Sequence, residues 1–276
     1  MKSLKDKVVV ITGAGSGIGR ALAVHAASKG ALLAISDVNV AGLAETVALA
    51  KDAGATDVHS TQLDVADRPA FLAYADEVAA HFGRVNVIVN NAGVTMTGDF
   101  EDMTLEEYDW LMSINLDGVV TGTKAFLPHL IASGDGHVVN ISSLFGLVSM
   151  PGQTAYNAAK YAVRGFTEAL REEMLIARHP VGVTCVHPGG IRTNIVRNGR
   201  TTAHEDADAL NALFDRVGRM EPAKAASIIW GAVRKDQARL LVGYDAHVIH
   251  QFAKLTGSRY QDVFALAKKR ILPVVR

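Results

Sequence analysis

The stretch from Lys7 to Gly30 constrains the fold more than any other part of the chain. It reads KVVVITGAGSGIGRALAVHAASKG and joins a β-branched run, a glycine-rich turn and a helix-forming segment. The β-branched run predicts a buried strand, and the glycines permit a tight turn into the helix. A helix that starts at such a turn presents unpaired backbone N–H groups, which favour a phosphate. The stretch therefore predicts the first strand and helix of a nucleotide-binding sheet.

Strands alternate with helices along the rest of the chain. Six more short apolar or β-branched segments predict strands, at residues 32–37, 57–64, 85–90, 137–142, 181–187 and 239–243. This alternation predicts one α/β domain over residues 1–243, built on a doubly wound parallel sheet. The polar segment 194–221 is typical of a mobile substrate flap with short helices. Residues 244–276 predict a C-terminal helical extension of the same domain.

Composition excludes several classes of protein. Of the 276 residues, 49% are hydrophobic and 20% are charged, which is typical of a globular protein with a large core. The formal net charge is zero with histidine neutral, so no nucleic-acid partner is predicted. No apolar run approaches the length of a membrane-spanning helix, and the scattered histidines form no metal-ligand motif. The single cysteine, Cys185, predicts a buried thiol, no disulfide and a cytoplasmic location.

Asp37 ends the second predicted strand and bears on the choice of cofactor. A carboxylate there can accept hydrogen bonds from the hydroxyls of an adenosine ribose, and it would repel a 2′-phosphate. Two unit charges about 4 Å apart at intermediate dielectric interact by on the order of 4 kcal/mol, as an unscreened upper guide. Since neither Ser16 nor Val38 supplies a compensating cation, NAD is predicted in preference to NADP. The alternative is that Asp37 only caps the next helix.

Ser143, Tyr156 and Lys160 predict a proton-transfer site. Tyr156 and Lys160 are four positions apart on a predicted helix, so they lie on one face. An ammonium group close to a phenol should lower the phenol pKa from about 10 and prepare it to exchange a proton with a substrate oxygen. Ser143 follows a predicted strand and would present its hydroxyl to the same cleft. A Tyr-x-x-x-Lys pair is also common on helix surfaces, so the surrounding motifs must decide.

Two further motifs admit two interpretations each, and a third indicates a sharp turn. Asn115 lies within a predicted helix, where Asn is disfavoured, so it either holds a helix distortion or a water, or is simply a structural residue. Asn90-Asn91-Ala92-Gly93 is either an ordinary turn or a place where a cofactor lies against a strand end. Pro188-Gly189-Gly190 forces a sharp turn after the sixth strand, with the hydroxyl of Thr193 beyond it.

Taken in order, these motifs resemble those of the short-chain dehydrogenase/reductase family, over roughly Asp6 to Gly243. The resemblance implies a Rossmann fold and a homotetramer or homodimer. It also implies a catalytic tetrad, which consists of Asn115, Ser143, Tyr156 and Lys160. The residues assigned to the cofactor, by the resemblance together with the turn chemistry, are Gly13, Ser16, Gly17, Ile18, Gly19, Asp37, Asp64, Val65, Asn91, Ala92, Gly93, Tyr156, Lys160, Pro188, Gly189, Ile191 and Thr193.

The same resemblance assigns a role to each member of the tetrad. Tyr156 is the general acid/base, and Lys160 lowers its pKa and hydrogen-bonds the nicotinamide ribose. Ser143 orients the substrate oxygen, and Asn115 anchors a water in a proton relay through Lys160. The implied reaction moves a hydride between NAD and a secondary alcohol or ketone. Two alternatives stay open: a dehydratase or epimerase on the same fold, and a cofactor-binding regulator without turnover.

The residues expected around the substrate are mostly apolar, which favours a neutral or lipophilic molecule. They are Val94, Leu144, Phe145, Val148, Met150 and Gln153. Arg192 and Arg197 would weaken this expectation if they pointed inward. In the tail, Lys268, Lys269 and Arg270 stand beside apolar residues, which would suit a membrane surface. Covering the substrate cleft or forming a subunit contact is the favoured interpretation of the tail.

Overall fold

The β-branched runs form one parallel sheet in a computed structural model that describes residues 1–203 and 205–271. The strands are β1 (Val8–Thr12), β2 (Leu32–Asp37), β3 (Val58–Gln62), β4 (Val87–Asn90), β5 (Met96–Thr97), β6 (Gly136–Ile141), β7 (Val181–Pro188), β8 (Arg200–Thr201) and β9 (Arg239–Val242). Seven of them pair in the order β3-β2-β1-β4-β6-β7-β9, always in parallel. This confirms the predicted doubly wound sheet. The strand order reverses between β1 and β4, where such sheets bind ligands.

Helices cover both faces of the sheet. They are α1 (Gly17–Ala27), α2 (Val40–Asp52), α3 (Arg68–Phe82), α4 (Leu105–Met112), α5 (Gly118–Ala132), α6 (Thr154–Ile176), α7 (Ala207–Val217), α8 (Pro222–Arg234), α9 (Tyr244–Thr256) and α10 (Tyr260–Ile271). Alternate residues of β1 point to opposite sides. Val9 and Ile11 pack with α1, α2 and α8, whereas Val8 and Val10 pack with α3, α5 and α6. A sheet buried on both faces explains why its strands are apolar throughout.

Capping residues in the sequence set where two helices begin. The Asp67 side chain accepts a hydrogen bond from the Ala70 backbone N–H at 3.0 Å, and α3 begins after it. The Thr104 and Glu107 side chains each accept a bond from the backbone N–H of the other, which forms a capping box before α4. Each pair satisfies backbone donors that the first helical turn leaves unpaired.

The polar segment after β7 contains regular secondary structure that its sequence indicates only in part. It contains α7 and the two-residue strand β8, which pairs in parallel with β5. The Arg200 guanidinium stacks over the Trp110 ring, 3.7 Å from its centroid. Such contacts attach this segment to β5 and α4 at the mouth of the sheet. Strands of two residues carry no readable periodicity, which is why the sequence does not predict them.

The C-terminal extension folds as α9 and α10 and packs beside the carboxyl end of β6. Its residues Ala246 and Ala253 join a buried apolar cluster with Leu144, Leu147 and Val148. The Tyr260 hydroxyl accepts a hydrogen bond from the Ser149 backbone N–H at 3.1 Å. The side chains of Lys268, Lys269 and Arg270, on which the membrane-surface alternative depends, lie outside the described part of the structure. Within the described residues, no helix combines the length and apolarity needed to cross a membrane.

Candidate active site

A cleft of about 810 Å³ opens at the carboxyl ends of the central strands. It brings together most of the residues that the sequence assigns to the cofactor. Those that line it are Gly13, Ser16, Gly17, Ile18, Asp37, Asp64, Val65, Asn91, Ala92, Gly93, Tyr156, Lys160, Pro188, Gly189, Ile191 and Thr193. The cleft therefore lies where the fold predicts a ligand site.

Glycines leave the backbone bare along the floor of this cleft. Gly13 and Gly17 adopt left-handed φ angles of 64° and 52°, which glycine tolerates best. A Cβ atom on Gly93 would stand 3.1 Å from Asn115 Oδ1 and 3.5 Å from Lys160 Nζ. Side chains at these positions would fill the bottom of the cleft. Without them the backbone is accessible, which suits the close approach of a dinucleotide.

The two strand ends that flank the cleft are joined by hydrogen bonds. The Thr12 hydroxyl accepts bonds from the backbone N–H groups of Asn91 and Ala92, both at 3.1 Å. The Asn91 side chain donates to the carbonyls of Thr12 and Gly13 at 2.9 and 3.0 Å. The Asn-Ala-Gly motif therefore fixes β4 against the glycine turn.

Gly19 does not line the cleft, although the resemblance places it in the cofactor turn. A Cβ atom there would stand 2.2 Å from the Gly13 carbonyl oxygen. Gly19→Ala is therefore expected to lower the free energy of unfolding by about 1–3 kcal/mol, because α1 must move away from β1. Urea denaturation measures this change. Gly231→Ala in α8 is the matched control, since its Cβ would meet nothing within 4 Å. A Gly19 variant as stable as the Gly231 variant would contradict this packing role.

Asp37 holds the glycine turn rather than the next helix. Its carboxylate accepts bonds from the backbone N–H groups of Gly15 at 2.7 Å and Asn39 at 2.8 Å. The cap of α2 is Asn39, whose side chain accepts from the Gly42 N–H at 3.0 Å. The alternative that Asp37 only caps the helix is therefore wrong. Its carboxylate stands on the wall of the cleft, at the end assigned to the adenosine.

Ser143, Tyr156 and Lys160 line the same cleft. Lys160 is buried, its Nζ lies 5.6 Å from the centroid of the Tyr156 ring, and it donates to the Ile141 carbonyl at 3.0 Å. The Ser143 side chain hydrogen-bonds the Tyr156 hydroxyl. The helical spacing and the strand end therefore place the three groups as predicted.

The electrostatics of this trio differ from the prediction. Burial raises the pKa of Tyr156, and the hydrogen bond from Ser143 opposes that rise only in part. Burial also lowers the pKa of Lys160 to about 8, with Cys185 opposing the change. The predicted lowering of the Tyr156 pKa by Lys160 is therefore wrong in this structure. Helical spacing brings the two groups together but carries no information on how much water they lose.

His187 is a buried neighbour of Ser143 that sequence reasoning misses. Its Nδ1 donates to the Ser143 carbonyl at 2.9 Å, since a carbonyl can only accept. Burial lowers the pKa of His187 to about 4, so the ring is neutral near pH 7. This bond fixes the backbone that carries the Ser143 hydroxyl.

Asn115 occupies a single π-helical turn, Ser113–Asp117, between α4 and α5. The expected helix distortion is thereby confirmed. Its buried side chain accepts from the Val94 N–H and donates to the Val94 carbonyl, both at 2.8 Å. These bonds hold the backbone that follows Gly93. The role of Asn115 as a water anchor stays a prediction.

The substrate side of the cleft is largely apolar. Of the expected residues, those that line it are Val94, Leu144, Phe145, Met150 and Gln153. Val148 does not line the cleft, and that prediction is wrong because the residue packs into the apolar cluster under α9 and α10. Arg192 pairs with Glu221 at 2.6 Å and Arg197 with Asp215 at 2.7 Å. Neither arginine lines this cleft, so the apolar character stands.

Two segments distant in sequence complete the cleft and were not predicted residue by residue. The segment after β7 adds apolar side chains at Ile195, Val196, Leu210 and Phe214. The C-terminal extension adds Asp245, Ile249, Phe264 and Ala267. Apolar periodicity in the tail was the available signal, but it gives no indication of which face turns toward the cleft.

Other candidate chemistry finds no support within the described residues. No group of three or more His, Cys, Asp or Glu side chains there could hold a metal ion. Cys185 is buried, and burial raises the pKa of its thiol to about 12. A thiol in that state is not a nucleophile near pH 7.

Residues 7–204 match the family model described as short chain dehydrogenase. The chain belongs to the short-chain dehydrogenase family. Among its relatives, SadH of Mycobacterium tuberculosis, whose name provisionally calls it an oxidoreductase, is 54% identical over 274 residues and 99% of each chain. The C alpha-dehydrogenase of Sphingobium sp. strain SYK-6 is 33% identical, over 88% of this chain and 82% of that protein.

Solved structures of short-chain dehydrogenases share the fold. A short-chain dehydrogenase/reductase from Burkholderia phymatum, solved in complex with NAD, has a TM-score of 0.85 and 29% identity, over 93% of this chain and 95% of that chain. A short-chain dehydrogenase from Mycobacterium paratuberculosis bound to NAD has a TM-score of 0.75 and 27% identity, over 87% and 97% of the two chains. The predicted family and its Rossmann fold are confirmed, and this short-chain dehydrogenase is an oxidoreductase of that family.

Proposed function

We propose that the protein is an NAD-dependent dehydrogenase that interconverts a secondary alcohol and the matching ketone. The observation that supports this most directly is the meeting of Ser143, Tyr156 and Lys160 on one wall of a glycine-floored cleft. A pure cofactor binder would need none of these three side chains. Family membership and the NAD complexes of two structural neighbours support a nicotinamide cofactor.

The residues that line the cleft support a dinucleotide bound along its length. Asp37 and the glycine turn would hold the adenosine and phosphates, and Asp64 with Val65 would flank the adenine. The Pro188–Thr193 loop and Lys160 would hold the nicotinamide end. When bound, NAD supplies the hydride acceptor.

The remaining chemistry belongs to this chain's own residues. The Ser143 hydroxyl would orient the substrate oxygen, and Tyr156 would exchange a proton with that oxygen. Lys160, with a pKa lowered to about 8, can accept or release a proton near neutral pH. Asn115 would hold a water that continues this proton path to solvent. The trio thus supports proton transfer through a chain of groups rather than through a phenolate formed in advance.

The walls of the cleft favour a neutral or lipophilic substrate. The apolar residues beside Tyr156 include Phe145, whose ring meets the Tyr156 ring edge-on at 6.2 Å between centroids. No arginine lines the cleft among the described residues, so a carboxylate or phosphate on the substrate would lack its usual partner. We propose residues 1–243 as the catalytic domain, with residues 194–221 and 244–276 closing the substrate end.

An assay of the purified protein with NAD and a panel of secondary alcohols tests this function. The absorbance of reduced nicotinamide should rise with at least one apolar alcohol and less with its carboxylated analogue. A protein that binds NAD but reduces none over a broad panel, and oxidises no NADH with the matching ketones, would contradict the redox function. Water loss or epimerisation of a hydroxylated substrate would then indicate the non-redox reaction.

Asp37→Asn tests the preference for NAD separately from the reaction. The amide oxygen can still accept the Gly15 N–H bond, although the bond from the Asn39 N–H and the negative charge are lost. The affinity for NADP is expected to rise about tenfold, while the affinity for NAD changes little, because repulsion of the 2′-phosphate is removed. Titration of both cofactors by calorimetry measures this. A wild-type protein that already binds NADP more tightly than NAD would refute the role given to Asp37.

A further inference from the structure

Asp245 in the C-terminal extension lies directly against the turn that follows β7. Its Oδ2 accepts a hydrogen bond from the Gly190 backbone N–H at 2.6 Å. A Cβ atom on Gly189 would stand 2.3 Å from the same oxygen. The carboxylate also lines the cleft, at the end assigned above to the nicotinamide. The family model ends at residue 204, so this group comes from a part of the chain outside the matched segment.

Glycines on two separate segments make room for this carboxylate. Gly189 touches Oδ2, and a Cβ atom on Gly243 would stand 2.4 Å from Oδ1. Gly243 has a φ of 114°, a conformation that side chains rarely adopt. Any larger residue at either position would displace the carboxylate. The absence of side chains at Gly189 and Gly243 therefore leaves space that the Asp245 carboxylate occupies.

Few positively charged side chains in the cleft could neutralise the Asp245 carboxylate. Among the described side chains, Lys160 is the only cation that lines it, and its Nζ is bonded to the Ile141 carbonyl on β6. Arg192, near in sequence to the turn, is directed to Glu221 instead. The negative charge of Asp245 therefore acts on whatever occupies the cleft beside the turn.

We propose that Asp245 makes the cofactor site select the oxidised nicotinamide over the reduced form. The nicotinamide ring of NAD carries one positive charge, whereas that of NADH is neutral, and the rest of the dinucleotide is the same. A fixed carboxylate beside the ring therefore binds the oxidised form more tightly. The site is loaded with oxidised cofactor, and the reduced cofactor leaves more readily. This inference rests on the proposed function, because it requires the nicotinamide cofactor in this cleft.

Asp245→Asn separates this electrostatic role from a purely structural one. The amide oxygen can still accept the Gly190 N–H bond, so the turn is retained while the charge is lost. We expect the affinity for NAD to fall about 5- to 10-fold, with the affinity for NADH changed by less than about twofold. Calorimetry with NAD and fluorescence titration with NADH measure the two affinities. The affinity for ADP-ribose, which lacks the ring, should not change.

Asp262→Asn is the matched control, because it removes the same charge from the exposed first turn of α10. It should leave both affinities unchanged. Equal weakening of NAD and NADH by Asp245→Asn, or no effect on either, would show that Asp245 only caps the turn. A wild-type protein that binds neither form would instead refute the proposed function. If the variant does not fold, the salt dependence of cofactor binding to the wild type tests the proposal. High KCl should lower the ratio of NAD affinity to NADH affinity about threefold, because salt screens the Asp245 charge.

Discussion

Replacing Tyr156 with phenylalanine is expected to lower turnover by roughly 10²- to 10⁴-fold, the range that a general acid/base usually contributes. The variant loses only the hydroxyl that Ser143 hydrogen-bonds. The affinity for NAD should stay within about twofold, because the binding groups of the glycine turn are untouched. The measurement is the rate of NAD reduction with the best alcohol of the panel, beside calorimetric titration of NAD.

Tyr161→Phe provides the control for this change. Tyr161 lies five residues further along α6, is half-buried, does not line the cleft and hydrogen-bonds Ser149 and Tyr260. Its loss should change turnover by less than about threefold. A Tyr156 variant that retains the rate of the Tyr161 variant would show that another group exchanges the proton. The redox reaction itself would then stand, but its acid/base would have to be reassigned.

The rise of the Tyr156 pKa changes how the site works. A phenolate stabilised in advance by Lys160 would require a lowered phenol pKa, but burial raises the pKa of Tyr156 and Ser143 opposes that rise only in part. The phenol is therefore neutral near pH 7, and Lys160, with a pKa of about 8, is the group poised to titrate. Proton transfer then needs the Ser143 and Lys160 contacts at the moment of reaction. The pH dependence of turnover should accordingly follow Lys160 more closely than Tyr156.

Sequence reasoning located the framework of the site because that framework is local. The glycine turn after β1 and the helical spacing of Tyr156 and Lys160 each depend on a few consecutive residues. The sequence predicts that β3 begins one residue earlier and ends two residues later than it does in the structure. Strand boundaries differ in this way because they lie where the ladder hydrogen bonds end. Parallel topology then brings the strand ends to one edge, so the cofactor residues converge.

Sequence reasoning failed where the outcome depends on contacts between distant segments. Val148 is apolar and close to Ser143 in sequence, yet α9 and α10 cover it. Asp245 looks like an ordinary acidic residue in the first turn of a helix, and only the fold brings it to Gly190. Burial likewise decides the pKa of Tyr156, and it is a property of the whole packed structure.

Lys160→Met is expected to make the protein more stable and at the same time nearly inactive. Burial lowers the pKa of Lys160 from 10.5 to about 8, so holding the ammonium in the folded protein carries a free-energy cost. That cost is fully present below pH 8, and it is relieved as the pH rises toward 10.5. Methionine fills a similar volume without charge. The gain at about pH 7 should be about 2 kcal/mol, after the loss of the hydrogen bond to Ile141 is deducted.

Urea denaturation across a pH series tests the sign of this effect. Between pH 8 and about 10 the unfolded chain binds more protons at Lys160 than the folded protein does, so the stability advantage of the variant over the wild type should shrink with rising pH. The raised pKa of Cys185 lowers the stability of both proteins above about pH 9 and cancels in this difference. Above about pH 10 the raised pKa of Tyr156 acts in the opposite direction, so the comparison ends there.

Lys51→Met on the exposed end of α2 should change stability by less than about 0.5 kcal/mol at every pH. A Lys160 variant that is less stable than the wild type at neutral pH would mean that the ammonium group is well solvated or paired in the folded protein. Lys160 would then not have the lowered pKa on which the proposed proton path depends.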